Sequence, residues 1–361
     1  MTTLDRSFSN RAAATGDQAV LLRNLWYYAL PAHQLKPGTM LAKSLLGEPV
    51  LLARSRTGKV FALRDICPHR AVPLSCGRFD GQEVECCYHG WRFDSTGRCT
   101  AIPSLTDDQD LDLSRFRVQQ YPLREVQGNL WIYMGDGTKD QSPDEAEIPV
   151  VPSFGNQPHQ LVITAHFPCS IDHAVVGLMD PAHSPFVHRA WWWRSGKTQE
   201  EVKTFDPSPY GFTMRRHKIE NMGHGYRLLG GIPETEIAFR LPGVRIEHIS
   251  TGQHTVCNLT TVTPLSETET EVTTSFYWTT PWLTALKPVL KPLVQAFLNQ
   301  DRDVVAKQQV GLKHNPGLML IRDADTQARW YYQLKAEFLR ATAEGRPFVN
   351  PVKEQVLRWR G

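Results

Sequence analysis

Apolar and polar positions change rhythm twice along the chain. In the first third, apolar residues come in short runs cut by turn formers. "MLAKSLLGEPVLLARS" (40–55) and "KVFALRD" (59–65) are broken by Gly47, Pro49 and Gly58, and "NLWIYMG" (129–135) follows Gly128 and ends at Gly135. Runs of this length between glycines and prolines predict short strands. The stretch between them is dense in Gly, Pro, Cys and His, and reads as loops projecting from a small β-domain. Residues 136–158 are polar and rich in Pro and Gly, the composition of a linker.

The texture then changes. "QLVITAHF" (160–167) reads as a strand, and Ser170 is a plausible N-cap for apolar residues that follow at helical spacing. From about 211 to 280, "GFTMRRHKIE", "TEIAFRL", "VRIEHIS", "HTVCNLTTVTPL" and "TEVTTSFYWTT" alternate with period two and are rich in β-branched and aromatic residues. They predict one broad antiparallel sheet. Helices are expected again over about 285–310 and 323–343. The most apolar stretch, "PWLTALKPVLKPLVQAFL" (281–298), holds two lysines and three prolines. It is a poor membrane span and reads as an amphipathic helix packed on the core. No internal repeat is visible.

Composition removes several function classes. The 361 residues suffice for two ordinary domains, and 41% apolar with 21% charged residues is the balance of a soluble globular protein. Lys and Arg number 40 against 37 Asp and Glu, and they are scattered, so no nucleic-acid footprint is present. Seven cysteines cannot all pair. In a chain this long they point to a reducing cytoplasm, with metal or catalytic work for some thiols. Residues 1–20 contain Asp5 and Asp17 and no apolar run of signal-peptide length, so no export signal is expected.

The chemistry concentrates in "CPHRAVPLSCGRFDGQEVECCYHGWRFD" (67–94). Cys67 and His69 are separated by one residue, Cys86 and His89 by two, with sixteen residues between the pairs. Two Cys-His pairs on two loops can hold a zinc ion or a two-iron cluster. Each loop offers one thiolate and one imidazole, which suits a [2Fe–2S] cluster with two Cys on one iron and two His on the other. Further on, "MDPAHSPFVH" holds His183 and His188. Five residues on an ideal helix rotate a side chain by about 140°, so both rings reach one metal only if Pro185 lets the chain bend. Two His and a carboxylate on one face are the ligands of mononuclear Fe(II) oxygenases. "LNQDRDVVAKQQ" (298–309) carries Asp301 and Asp303, an acidic pair that by itself reads as the solvated face of a helix.

"CPHR…CCYHGWRFD" resembles the cluster motif of the Rieske non-haem iron oxygenases, and Asp180-x-x-His183-x-x-x-x-His188 is similar to their catalytic motif. The resemblance implies an α+β protein: an N-terminal all-β Rieske [2Fe–2S] domain, then a helix-grip catalytic domain of antiparallel sheet plus helices. The expected divisions are an extension over 1–24, the Rieske domain over 25–136, a linker over 137–158 and the mononuclear iron domain over 159–361. Cys67, His69, Cys86 and His89 are implied as cluster ligands, and His183, His188 and Asp301 as iron ligands; residues 298–309 are similar to the late helix that supplies the family's carboxylate, with Asp303 as the near alternative. Asp180 is implied as a bridge from His89 of one subunit to His183 of the next in a homotrimer. Cys76 and Cys87 match no known bracing disulfide and read as free thiols. Many relatives have an asparagine shortly before the bridging aspartate, where this chain has Val176 and Gly177.

The layout is similar to single-subunit monooxygenases and O- or N-demethylases such as vanillate demethylase oxygenase. It implies a cytoplasmic terminal oxygenase for a small aromatic or alicyclic substrate, with O2 as co-substrate. Electrons would come from an NAD(P)H-dependent flavin reductase or a ferredoxin. A ring-hydroxylating dioxygenase forming cis-diols is the alternative. A Rieske electron carrier without oxygenase activity leaves residues 151–361 without purpose.

Overall fold

A computed structural model describes residues 20–137, 143–188, 200–219 and 232–360. The chain forms two units. One comprises residues 22–162 with 263–266, and the other holds 163–262 and 267–361.

The first unit is built of three small antiparallel sheets. Asn129–Met134 lies between Leu25–Pro31 and Leu123–Val126. Thr39–Leu45, Glu48–Arg54, Val60–Arg64 and Gln120–Tyr121 form the second sheet. Two hairpins explain much of this register. Leu46-Gly47 joins Leu45 to its partner Glu48, and Gln127-Gly128 joins Val126 to Asn129. All four loop residues have positive φ. That is the two-residue turn whose twist matches paired strands, and glycine at the second position relieves half of its steric cost. In the third sheet, Arg78–Phe79, Val84–Glu85, Arg92–Phe93 and Cys99–Ala101, the second Cys/His loop joins Val84–Glu85 to Arg92–Phe93, while the first follows Val60–Arg64 of the second sheet and leads to Arg78–Phe79. Leu51, Ala53, Phe61, Leu63, Val84 and Phe93 form one core with Cys67, Cys86 and Trp91, so the thiols are part of its wall.

Residues 144–158 do not behave as the expected linker. Ile148, Val151 and Phe154 are buried at a spacing of three. The Gln127 side chain donates to the carbonyls of Val151 (2.9 Å) and Gly155 (2.6 Å) and accepts from Val151 N–H (2.8 Å). The Trp26 indole donates to Asp144 O. Pro and Gly made this stretch look free, but its three apolar residues and a buried amide hold it in the first unit. Four residues from far along the chain join the same unit. Leu46 and Gly47 N–H donate to the carbonyls of Pro264 and Leu265, both at 2.9 Å, and the Thr263 hydroxyl donates to Tyr28 O.

The second unit is an eight-stranded sheet. Its order is Leu161–Phe167, Thr270–Trp278, Thr255–Pro264, Val244–Ser250, Glu234–Arg240, Gly211–Lys218, Glu200–Ser208 and Gln355–Arg360. The last two were not legible as strands, yet they pair over six residues, Glu200–Phe205 with Gln355–Arg360. Five α-helices are described: α1 (Ile171–Met179), α2 (Ser184–Val187), α3 (Pro281–Ala285), α4 (Lys287–Leu312) and α5 (Thr326–Ala343). α5 buries Trp330, Leu334, Phe338 and Ala341 on one stripe, and its Trp330 and Tyr331 rings meet Phe205, Phe212 and Phe239 of the sheet. α1 is fastened to α5 through Asp172, which accepts from the Tyr331 hydroxyl (2.6 Å) and twice from Lys335 Nζ (2.6 and 2.7 Å).

The apolar stretch at 281–298 departs from expectation. It splits at Leu286 into α3 and α4, and Trp282, Leu286 and Val289 are exposed. Within α4 only Leu298 and Val305 are buried. Among the described residues no helix is long and apolar enough to cross a membrane.

Candidate metal centres

The two Cys/His loops share one backbone design. Cys67 N–H donates to Val72 O and Ala71 N–H to Cys67 O, both at 2.9 Å; Cys86 N–H donates to Trp91 O at 2.8 Å and Gly90 N–H to Cys86 O at 3.0 Å. Each loop thus closes between residues i and i+5, with residue i+4 at positive φ: Ala71 at 59° and Gly90 at 71°. Each loop begins at a buried cysteine. The closures agree although the histidine stands at i+2 in one loop and at i+3 in the other. Asp65, itself buried, accepts from Ser75 N–H (2.7 Å) and the Ser75 hydroxyl (2.5 Å), pinning the base of the first loop.

This geometry separates like from like. The Cys67 and Cys86 thiols are within hydrogen-bonding distance of each other. The His69 and His89 rings are 4.5 Å apart between centroids, and His69 stacks on Trp91 at 4.7 Å and 8°. The sulfur pair is buried, while His69 is half-buried and His89 exposed. Around a tetrahedral zinc, ligand atoms would stand about 3.5–3.8 Å apart. Among the described residues, only one group of three or more His, Cys, Asp or Glu brings its ligand atoms within 4.8 Å of one another, and it is not this one. A thiol end and an imidazole end instead fit a two-iron cluster with unlike irons. His69 Nδ1 is buried without a hydrogen-bond partner, as a metal-binding nitrogen would be in the absence of its metal.

Burial pushes the Cys67 thiol up to about 11, with the neighbouring Cys86 adding to the effect. Hydrogen bonds from His69 and Arg70 N–H to the sulfur oppose the shift and would stabilise a thiolate. Desolvation first, and then the charges of His89 and Arg70, hold His69 below the usual imidazole range. A ring kept neutral is ready to bind metal. Cys76 and Cys87 are exposed and unpaired, in line with their reading as free thiols.

The group that does converge is His183, His188 and Asp301. Nε2 of His183 and Nε2 of His188 are 3.2 Å apart, and Asp301 Oδ1 lies 3.6 and 3.3 Å from them. Local structure explains how two histidines five apart can meet. α1 ends at Met179, and the two histidines flank the single turn of α2: His183 precedes it in a helical conformation, and His188 follows it at φ −90°, ψ 86°. Pro185 does not break a helix, as the sequence suggested. It stands in the first turn of α2, where a proline's missing N–H costs nothing.

Each imidazole uses Nδ1 as a donor and thereby turns Nε2 toward the triad. His183 Nδ1 meets Asp180 O at 2.6 Å, and His188 Nδ1 meets Gln300 Oε1 at 3.0 Å. His188 is 1% exposed and lies on the Phe297 ring, with centroids 3.5 Å apart at 15°. Burial drives His188 down to about 4, His183 adds to this, and the Gln300 acceptor opposes it. Burial pushes the Asp301 carboxyl up to about 6 against the attraction of His183. A neutral imidazole pair with one reluctant carboxylate is a donor set that a divalent cation would complete.

The alternative carboxylate, Asp303, is exposed and pairs with Arg302 at 2.8 Å. Asp180 meets His183 mainly through its backbone carbonyl. Its carboxylate accepts from Ala182 N–H at 2.8 Å and stands 4.0 Å from His183 Nδ1. Gln300 and Phe297 escaped the sequence reading, although Phe297, Gln300 and Asp301 stand at i, i+3 and i+4 on one helix face. Trp191–Trp193 and His224, considered as pocket or surface residues, lie outside the described residues.

Comparisons with known proteins bear on the first of these sites and on the fold. Residues 25–122 match the family model described as Rieske [2Fe-2S] domain. The oxygenase component of dicamba O-demethylase from Stenotrophomonas maltophilia is 35% identical over 175 residues, 47% of this chain and 48% of that protein. Chlorophyllide a oxygenase of Chlamydomonas reinhardtii is 31% identical over 186 residues, 50% of this chain and 27% of that protein. The matched part therefore spans less than half the length of these relatives. Among solved structures, dicamba monooxygenase bound to dicamba superposes with a TM-score of 0.73 at 22% identity, covering 90% of this chain and all of the other.

Proposed function

We propose that this chain is a Rieske non-haem iron oxygenase, the terminal oxygenase of a short electron-transfer system; the match of residues 25–122 to the Rieske [2Fe-2S] domain and the likeness to an O-demethylase oxygenase component support this reading. It would hydroxylate, or remove an O- or N-linked methyl group from, a small aromatic or alicyclic substrate. The single observation that carries this reading is the presence in one chain of two different donor sets: a thiol pair beside an imidazole pair, and a two-histidine, one-carboxylate triad. An electron carrier needs only the first.

The residues have distinct tasks. Cys67, Cys86, His69 and His89 would hold the [2Fe–2S] cluster. Neutral imidazoles in place of two thiolates leave such a cluster less negative and easier to reduce. The imidazole end, with His69 half-buried and His89 exposed, is where an electron would enter or leave the cluster. His183, His188 and Asp301 would hold Fe(II), which supplies O2 activation when bound. His183 and His188 present Nε2 because their Nδ1 protons are engaged. Asp301 would bind as the carboxylate. Asp180, next to His183, would carry the link to His89 of a neighbouring subunit in a trimer. A hydroxylated methyl carbon on oxygen or nitrogen then collapses with loss of formaldehyde. A cytoplasmic setting, reducing enough to leave seven cysteines unpaired, suits such a system.

The test is anaerobic purification with iron and sulfide, followed by turnover with a ferredoxin, its reductase and NADH. Methoxy- and methylamino-substituted aromatic acids would be offered in ¹⁸O2. Formaldehyde together with one labelled oxygen per turnover supports the monooxygenase. A cis-diol carrying two labelled oxygens supports the dioxygenase alternative. Reversible cluster reduction without O2-dependent turnover or a third iron leaves an electron carrier.

A further inference from the structure

We propose that Gln300 is a positioning residue for the mononuclear site: its side-chain oxygen holds His188 in the one tautomer that leaves Nε2 bare for the metal. The inference rests on the reading of His183, His188 and Asp301 as iron ligands, and it adds a residue that this reading does not require.

The two histidines are oriented by different means. His183 Nδ1 faces the carbonyl of Asp180, a backbone group that no side-chain change removes. His188 Nδ1 faces Gln300 Oε1 at 3.0 Å. At 1% exposure His188 is shut off from bulk water, which could otherwise take the Nδ1 proton in a hydrogen bond. A neutral imidazole carries its proton on one nitrogen only. An acceptor at Nδ1 puts the proton there and leaves the lone pair on Nε2, 3.3 Å from Asp301 Oδ1. Without the acceptor the proton can move to Nε2 and hydrogen-bond Asp301, which closes the site to a cation.

One helix face performs the whole task. Phe297 lies flat against the His188 ring at 3.5 Å and blocks its rotation, Gln300 accepts the Nδ1–H hydrogen bond, and Asp301 supplies the neighbouring ligand. These residues are at i, i+3 and i+4 of α4, where side chains share a face. An amide suits the position better than a carboxylate. It accepts the hydrogen bond, more weakly than a carboxylate would, and adds no second negative charge beside Asp301.

The test is a competition titration of Fe(II) against a colorimetric chelator, done anaerobically at pH 8 on cluster-loaded protein with an empty mononuclear site. Gln300→Met keeps the volume and loses the acceptor; Fe(II) affinity is expected to fall roughly 10–100-fold, the usual cost of a lost partner behind a metal-bound histidine. Gln300→Glu restores an acceptor and should recover affinity to within about threefold of the parent, since the partner behind the histidine is again present. A merely structural role predicts that neither variant moves iron affinity apart from a common shift in thermal midpoint. Should the Met variant fail to fold, Gln300→Leu carries the same expectation. His188→Ala separates the two levels of the argument. If it loses iron while Gln300→Met and Gln300→Leu bind like the parent, the proposal is wrong and the iron site stands. If His188→Ala also binds iron normally, the iron-site reading fails and this proposal with it.

Discussion

Single residues decide what each centre can bind. Cys67→Ser or Cys86→Ser should abolish the visible iron–sulfur absorption and the acid-labile sulfide, because a thiolate is lost from the buried end of the cluster. Cys76→Ser and Cys87→Ser, both exposed and unpaired, should leave both signals unchanged. At the second centre Asp301→Asn should lose one iron per chain and keep the cluster. Asp303→Asn, which breaks only a surface pair, should keep all iron and shift stability by no more than about 0.5 kcal/mol. The metal-free pair also has a pH signature. Between about 4 and the ordinary imidazole value of 6.5, His188 is neutral in the folded chain while the unfolded chain is still protonated, so stability rises with pH. Between 3.8 and about 6, Asp301 keeps its proton in the folded chain while the unfolded chain has lost it, so stability falls as pH rises. The two slopes oppose. Urea unfolding of Asp301→Asn should therefore show a steeper gain in stability from about pH 4 to 6.5 than the metal-free parent. An equal slope in both proteins would mean that Asp301 is not held protonated.

At the scale of elements, two contacts carry the sites. α1, which leads into the Asp180–His188 segment, is tied to α5 by the Asp172–Lys335–Tyr331 cluster. Lys335 and Asp172 have side chains 9% and 19% exposed. Lys335→Met takes two charge-assisted hydrogen bonds from the half-buried Asp172 carboxylate and should cost about 3 kcal/mol in denaturant unfolding, whereas Tyr331→Phe removes one hydrogen bond to a charge and should cost about 1.5–3 kcal/mol. In the first unit, Gly77 lies against the segment that ends in a cluster cysteine. A Cβ at Gly77 would stand 1.9 Å from Glu85 O, the carbonyl just before Cys86. Gly77→Ala must therefore push apart the strands Arg78–Phe79 and Val84–Glu85, and cluster content after reconstitution should drop. Cluster content equal to the parent's would show that the second loop is set independently of this contact.

For the molecule as a whole, the two centres predict three irons and two sulfides per chain. Brief chelation should remove one iron and leave the visible cluster spectrum intact; loss of all three together would contradict separate centres. The Cys/His loops, the broad sheet and the two histidines of the proposed iron site were legible from the chain because their signals are local. Cys-x-His and Cys-x-x-His spacing, period-two alternation and a proline between two histidines are all read within a dozen residues. Other features could only be decided by folding. The prolines and glycines of 144–158 look the same in a free linker and in a packed strap; burial of Ile148, Val151 and Phe154 distinguishes them. The edge pair Glu200–Ser208 and Gln355–Arg360 joins segments about 150 residues apart, and half-exposed polar strands carry no strong alternation. Asp301 and Asp303 are equivalent on paper, and only the rotation of α4 sends one to the histidines and the other to Arg302. Gln300 is the clearest case. Nothing in its neighbourhood along the chain marks it, because its role consists of a contact with His188, 112 residues away. Ligand types and spacings are local properties and were written in the chain, whereas the partners that orient those ligands are set by packing between distant segments and exist only in the folded structure.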